Sequence, residues 1–505
     1  ASMFTGYIAD MRIVNGTAVY GTSNFSVPTT SLTAVTNTKL LTCQYSGAVR
    51  NVGFVDDSKY NHQITRNGDV YFGTFSPFSL EDGYWSNYFD GTDDYLSVPN
   101  STDNNIGNFT EDYTLECWFN LQSITSNHRV LFGKSNGGGG VPKWLIGINM
   151  DTSAAYSANK VGVVSANGGT GGDGTYSPGF IAGTWYHFRL VYTHSNTTLK
   201  IYISGTEVVS YEGNVVSSSG AFTWGADGEG NGDFIGHISN VRLLKGTALD
   251  STVPTTPLTA VTNTKLLTAQ SNRFVDNSSS SFAITATGTP KVLPFSPFAP
   301  TRSYSKDAVG GSAYFDGTTD YLSIPDSELF TLGTDNFTIE CWVYFNSVSG
   351  TQYVYGQSHS SSGSDTAFQL YIDSGTLYAW TGHGSASATV PKANEWVHLA
   401  FVRQGANVRI YYNGVQQDST SIGASNALTN STGVLALGRV GAYDGDYFAG
   451  YISNFNFVKG VCKYDDGTAF DPPTAPITAH ANTIFLANFT NAGIIDHTMK
   501  NNLDT

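Results

Sequence analysis

The sequence predicts an all-β protein, built from two-sheet sandwiches in tandem, and three observations carry that prediction. Nearly every segment is a short run of alternating apolar and polar residues bounded by Gly, Asn, Asp or Ser turns. No amphipathic pattern extends beyond about ten residues, so helices have no place in the plan. Long strings also recur at a fixed spacing. Residues 28–42, PTTSLTAVTNTKLLT, return at 254–268 with one substitution, and YFDGTDDYLSVP at 88–99 returns as YFDGTTDYLSIP at 314–325, in each case 226 positions later. A period this long is a domain, not a solenoid turn of roughly 20–50 residues.

The elements of the unit follow in order. The YFDG strings make two strands around a turn, with Asp90 and Asp316 accepting nearby N–H groups. Asp94 and Asp320 follow four residues later, a spacing that either holds the same turn or lets two carboxylates share a cation. YTLECWF (113–119) and FTIECWV (337–343) form the next strand, and TWYHFRLVY (184–192) and EWVHLAFVR (395–403) another. LKIYISGTEV and VRIYYNGVQQ are hairpins around Ser-Gly and Asn-Gly. A closing strand ends the unit: FIGHISNVRLLKGTAL from Phe234, with copies from Phe448 and from Phe4. FSPF follows the repeated junction string, at 75–78 and 295–298.

These repeats predict four pieces: a remnant of a preceding repeat plus linker at 1–37, a first sandwich at 38–260, a second at 261–480, and the beginning of a following repeat at 481–505. The whole reads as a window on a longer parent with more copies. The N-terminal copy of the closing strand allows two arrangements. Either each closing strand completes its own domain, which is favoured, or it is handed forward, in which case Ile8 and Ile13 would pack in the core that contains Trp118.

Charged residues make up 13 % of the 505, against about 25 % in an average soluble protein. With 55 glycines and abundant Ser, Thr and Asn, the chain solubilises itself through hydroxyls and amides, which suits β-proteins working outside cells. The net charge of −15 and the lack of a basic run exclude nucleic acid as a partner. No stretch of 18 apolar residues suggests membrane insertion, and the first ten residues do not read as a signal peptide. Cys43, Cys117, Cys341 and Cys462 read as thiols, not as a disulfide framework, because Cys117 and Cys341 hold one slot in two repeats.

The order YFDGxxDYLSxP, xECWx, Trp-x-His, hairpin and F-x-G-x-I-S-N resembles the concanavalin A-like, laminin G-like jelly-roll family over essentially the whole chain. The closing KGTAL and junction strings are similar to tandem repeats in structural proteins of aquatic bacteriophages. The resemblance implies a jelly roll and a role as lectin, adhesion module or spacer. Related jelly rolls often hold Ca²⁺ with an acidic residue just after the closing strand's Ile, whereas Ala9, Ser239 and Ser453 stand there in this chain.

Candidate sites follow from chemistry. Asp227, Glu229, Asn231 and Asp233 alternate with glycines as Ca²⁺-binding loops do, and Asp444 and Asp446 occupy the corresponding loop of the other copy. The position of a bidentate Glu is taken by Ile238, and a solvated acidic turn is the competing reading. Trp144, Tyr156, Tyr176 and Trp380 lie in regions that differ between copies and are candidates for stacking on sugar rings. The regions 120–183 and 346–394 read as variable loops, divergent either by drift or by use in binding. Glu116 and Glu340 stand alone, so no carboxylate pair of a glycosidase forms, and His187 and His398 read as packed structural residues; no enzyme is expected. Two functions remain: a structural or adhesive repeat of an extracellular assembly such as a phage fibre, tail or capsid appendage, with other copies as partners, or a calcium-assisted lectin or bacterial surface adhesin that binds glycans.

Overall fold

The computed structural model describes residues 11–42 and 62–489, apart from 22–24, 26–27, 30–31, 43–61, 74, 108–109, 125–127, 136–143, 150–159, 166–169, 176–178, 230–231, 299–305, 360–364, 442–444 and 465–466. The described residues are nearly all β, with one four-residue α-helix at Lys306–Val309. They fall into two compact units, residues 81–299 and residues 1–80 with 300–505.

In unit 81–299 two antiparallel sheets face each other. One runs Thr206–Glu212, Thr198–Ile203, Trp185–Thr193, Tyr113–Leu121, Ile235–Lys245, Ser86–Asp90, Lys291–Leu293. The other runs Thr170–Thr175, Lys160–Ser165, Trp144–Ile148, Arg129–Ser135, Ala221–Trp224, Tyr95–Val98, Thr285–Thr287. The second unit repeats both orders, with Phe337–Phe345 and Ala449–Lys459 at the centre of one sheet and Gln352–Ser358, Thr366–Asp373 and Thr376–Thr381 in the other. Alternation sets the faces: Leu115, Cys117 and Phe119 are fully buried toward the facing sheet, while Glu116 and Trp118 point to the opposite side.

That opposite side is not open to water. Arg189 and Arg242 tie residues 250–259 to it, and FSPF covers its tryptophans: Phe298 lies 5.5 Å from Trp118 and Phe295 5.1 Å from Trp185. Phe75 and Phe78 cover Trp396 and Trp342 in the same way, at 5.2 and 5.9 Å. These tryptophans therefore sit in a third layer, outside the main core.

Each closing strand completes its own sandwich, as favoured: Ile235–Lys245 pairs with Tyr113–Leu121, and Ala449–Lys459 with Phe337–Phe345. Ile13 is 45 % exposed, on a strand that pairs with Thr38–Thr42, so it is outside the core of Trp118; Ile8 lies outside the described residues. The Ser-Asn of the closing strand has a clear purpose. Asn240 and Asn454 take left-handed backbone at a bulge (φ 54° and 52°), and each side chain accepts a backbone N–H, from Leu258 and Ile477. Ser239 and Ser453 donate to the carbonyls of Trp85 and Gly311, so the slot that is acidic in related jelly rolls serves packing in this chain.

The strand pairing moves the boundaries expected at 37/38, 260/261 and 480/481. Thr264–Thr268 pairs with the closing strand before it, and the pair Thr285–Thr287 and Lys291–Leu293 extends the same sandwich, so residues 261–299 belong to the first unit. Thr483–Ala487 likewise pairs with Ala449–Lys459, which joins these residues to the second sandwich, while residues 490–505 of the expected following repeat lie outside the described residues. Thr38–Thr42 pairs with Met11–Val14, while Thr65–Asn67 and Tyr71–Gly73 join the second sandwich. The expected boundary at 260/261 cuts the junction string 254–268, but hydrogen bonding joins Thr264–Thr268 to the closing strand before it.

A second correction concerns the variable regions. Residues 120–183 and 346–394 hold most of one sheet in each sandwich, not loops. The copies diverge there along strands.

Candidate functional site

In Thr366–Asp373 the residues Phe368, Leu370 and Ile372 are core, which turns Gln369, Tyr371 and Asp373 outward. In Thr376–Thr381 the core residues are Leu377 and Ala379, which turns Tyr378 and Trp380 outward. Register then aligns these side chains across strands: Tyr353 opposite Tyr371, Tyr371 opposite Tyr378, Gln369 opposite Trp380, and Trp380 opposite Ser385. The ring centroids of Tyr353 and Tyr371 are 5.1 Å apart, and those of Tyr371 and Tyr378 are also 5.1 Å apart at an interplanar angle of 21°.

The row continues toward the other edge of the sheet. Tyr353 bridges Tyr447, whose ring lies 6.4 Å from that of Tyr321. The guanidinium of Arg439 sits 3.6 Å over the Tyr321 ring and donates to the Tyr447 hydroxyl at 3.4 Å. All these side chains are partly exposed. The result is one outer sheet face with flat apolar surfaces, phenol hydroxyls, an amide, serine hydroxyls and one cation. Such a face offers stacking area at low entropic cost, with polar groups at its rim.

The first sandwich places different residues at the same register positions. Val130 stands where Tyr353 does and Gly147 where Tyr371 does. Val130 is fully buried and packs with Leu145 and Val164. A Cβ on Gly147 would lie 2.2 Å from the Arg129 carbonyl oxygen, so no side chain fits there.

The predicted residues divide accordingly. Trp380 lies on the aromatic face. Trp144 does not: it is fully buried, 5.9 Å from Phe222, in a strand buried at every position. Tyr156 and Tyr176 lie outside the described residues, as do Asn231 and Asp444. Asp227 is buried and its Oδ1 accepts the Glu229 N–H at 2.7 Å, forming a turn. The Asp233 carbonyl accepts from Arg129 at 2.7 Å, and burial raises the Asp233 carboxyl above its usual range. The Asp446 carbonyl accepts the Tyr353 N–H at 3.0 Å. Among the described residues no group of three or more His, Cys, Asp or Glu side chains is placed to hold a metal ion. Sequence reasoning missed Tyr371, Tyr321, Tyr447 and Arg439; the alternation in AFQLYID would have put Tyr371 beside Tyr378.

Glu116 and Glu340 are buried anchors. Glu116 accepts from Arg189 (3.0 and 2.7 Å), Arg242 (2.8 and 2.6 Å) and His187 (3.1 Å). Burial opposes its ionisation, yet the His187 hydrogen bond and the two guanidinium charges outweigh burial and hold its pKa down to about 2. Burial lowers the His187 pKa, so a neutral imidazole donates that bond. Glu340 accepts from His398 (3.2 Å), Asn456 (2.8 Å), Lys463 (2.5 Å) and Tyr464, and it too is held at about 2 against the cost of burial, by His398 and Lys463. Beside this cluster a cavity of about 760 Å³ opens between the closing strand and its return segment, lined by Asn456, Cys462, Lys463 and His480. Cys117, Cys341 and Cys462 are free thiols, while Cys43 lies outside the described residues.

The model of the Concanavalin A-like lectin/glucanases superfamily matches residues 90–253 and 316–464. Among solved structures, a putative carbohydrate binding protein from Bacteroides ovatus ATCC 8483 is similar at 18 % identity and a TM-score of 0.32, over 43 % of this chain and 61 % of that one. The chain thus spans under two thirds of that protein. Mouse laminin alpha1 chain domains LG4-5 are similar at 11 % identity and a TM-score of 0.25, over 79 % of this chain and 94 % of that one. The LG1-3 region of the laminin alpha2 chain is similar at 12 % identity and a TM-score of 0.24, over 78 % and 65 %. No curated protein matches the sequence.

Proposed function

This chain belongs to the Concanavalin A-like lectin/glucanases superfamily, and from that premise we propose that it is a non-enzymatic, carbohydrate-binding adhesive protein whose second sandwich holds the glycan. The observation that carries the reading is the row Tyr321, Tyr447, Tyr353, Tyr371, Tyr378 with Arg439 and Trp380 on one outer sheet face. Sugar rings stack their C–H faces on such rings, and Gln369 and Ser385, opposite Trp380, are suited to fix hydroxyls. The absence of enzymatic activity is supported by the state of Glu116 and Glu340, each buried, ionised and bonded to cations in a separate sandwich instead of flanking a cleft as a pair.

The second reading, a repeat of an extracellular fibre or of a phage tail or capsid appendage, is favoured by the near-identical junction strings at 28–42 and 254–268. The two are compatible: a fibre carries its adhesive face outward. Extracellular or virion-surface placement fits low charge and high hydroxyl content, and among the described residues no helix is long and apolar enough to cross a membrane. A glycan array probed with the full chain, with and without EDTA, tests the lectin reading. Binding that survives EDTA supports the aromatic face, binding lost with EDTA supports a calcium-assisted lectin, and no binding in either condition leaves the fibre reading alone.

A further inference from the structure

Each sandwich is completed by a hairpin and an FSPF plug that come from outside its main run of strands. In the first unit the segment is 282–298. Thr285–Thr287 pairs with Tyr95–Val98 at the edge of one sheet, and Lys291–Leu293 pairs with Ser86–Asp90 at the edge of the other. In the second unit the segment is 62–78. Thr65–Asn67 pairs with Tyr321–Ile324, and Tyr71–Gly73 with Ser312–Asp316.

The two seats agree residue by residue. Asp94 accepts the N–H of Thr289, and Asp320 that of Asp69. Gly288 and Gly68 turn at φ 74° and 70°, each with no room for a Cβ, which would lie 2.4 Å from Asp94 Oδ1 and 2.3 Å from Asp320 Oδ1. Phe295 packs on Trp185 and His237, and Phe75 on Trp396 and Tyr451. Phe298 packs on Trp118, and Phe78 on Trp342. Yet one segment follows its sandwich in the chain and the other precedes it. Recognition therefore resides in the segment and its seat, not in the connection between them.

We propose that residues 62–78 are an exchangeable donor segment, and that the seat formed by Ser312–Asp316, Tyr321–Ile324, Trp342 and Trp396 accepts the same segment from a second copy of this chain. The donor is 251 residues from the Asp320 that receives it, with all of residues 81–299 between. Residues 81–299 fold as a unit of their own between donor and seat, so no short turn ties the segment to its seat, and a neighbouring copy can supply it with the same contacts when copies are held close together. The seat of the first sandwich is filled by residues 282–298, which follow it directly, so each chain is left with one separable donor and one seat for it, and a seat filled by a neighbour leaves the chain's own donor available to the next. Exchange of this kind links copies head to tail by edge-strand addition.

The test uses two full-length variants. Val70→Asp spoils the donor, because Val70 is fully buried in the second core, and Asp320→Lys spoils the seat. Each alone is expected to run as a monomer in size-exclusion chromatography with light scattering, and an equimolar mixture is expected to give a one-to-one heterodimer. A labelled peptide of residues 60–80 is expected to bind the Val70→Asp chain with one-to-one stoichiometry, and about tenfold or more tighter than the same peptide carrying Val70→Asp. A mixture that stays monomeric, with folded variants and no peptide binding, overturns the proposal. If either variant does not fold, the wild-type chain is heated through its transition and cooled at rising concentrations. Oligomers that excess peptide suppresses uphold donor exchange, and monomer at every concentration overturns it.

Discussion

The two sandwiches share strand order, bulges and FSPF plugs, but they differ in three places: the partners of the buried glutamate, the outer face of one sheet, and one residue under the plug, His237 against Tyr451. Glu116 is surrounded by two arginines and a neutral histidine, so its cluster is closed by cations that are themselves buried. Glu340 has Lys463, whose side chain is 37 % exposed, with Asn456, Tyr464 and His398. Both clusters hold down the chain that returns after the closing strand. The first does so through Arg189 to the carbonyls of Asp250 and Thr252 and through Arg242 to that of Thr259. The second does so directly, through Lys463 and Tyr464, with Tyr464 stacked 3.5 Å from Phe470. The scaffold requires an anchored return segment, and two sets of residues meet that requirement.

Breaking the anchors should separate the sandwiches most strongly. Glu116→Ala leaves two buried guanidinium groups uncompensated and should cost about 3–5 kcal/mol. Glu340→Ala leaves a lysine that can turn to water, and should cost about 1–3 kcal/mol, nearer a lost hydrogen-bond partner. Urea unfolding followed by a probe in each sandwich checks this; equal losses would contradict the comparison.

Acid should separate them next. His237 occupies the plug seat of the first sandwich, 4.6 Å from Phe295, where the second sandwich has Tyr451. Burial lowers the His237 pKa from 6.5 to about 4. Between those values the unfolded chain binds the proton and the folded chain does not, so stability is present above pH 6.5 and is lost as pH falls toward 4. His128 and His187, also in the first sandwich, shift in the same direction through burial. Calorimetry should show the first transition falling over this window and the second holding. His237→Tyr should flatten part of that fall. Below about 4.5 both sandwiches should weaken together, as the depressed carboxyls of Glu116 and Glu340 begin to take up protons.

Smaller effects sharpen the account. Gly68→Ala and Gly288→Ala force a Cβ into Asp320 and Asp94 at positive φ, and each should lower stability by about 1–2 kcal/mol in the sandwich its hairpin completes. Lys200→Ala should change stability by less than about 0.5 kcal/mol, because its 2.9 Å pair with Glu207 is exposed. Thermal melts of the three variants rank them.

Much of this was legible in the residues. The repeat and the succession of strands along the chain follow from strings such as FIGHISN and YFDG, whose alternation and turns are local, whereas closure of each sandwich by its own last strand was favoured only through the family resemblance. The domain edges were not, because the partners of Thr285–Thr287 and Lys291–Leu293 lie nearly 200 residues away and nothing local records which sandwich a short hairpin will join. Trp144 was misplaced because WLIGI is buried on both faces, so its pattern does not mark an outward side. Trp380, chosen because its region differs between the copies, lies on the outward side of TLYAWT, whose burial alternates. The remaining rings of the row come from distant strands: register sets Tyr353 opposite Tyr371, and Tyr447 links Tyr353 to Tyr321.

On the proposed function, this row binds a glycan and the matching face of the first sandwich does not. The direct measurement is titration of the best array glycan into the full chain and into Tyr371→Ala, Tyr378→Ala and Tyr95→Ala variants, with folding checked by circular dichroism; Tyr95 holds in the first sandwich the repeat position of Tyr321. Tyr371→Ala and Tyr378→Ala should each weaken binding about tenfold or more, near 1.4 kcal/mol, while Tyr95→Ala leaves it unchanged. Undiminished affinity in the folded Tyr371→Ala and Tyr378→Ala variants would contradict it.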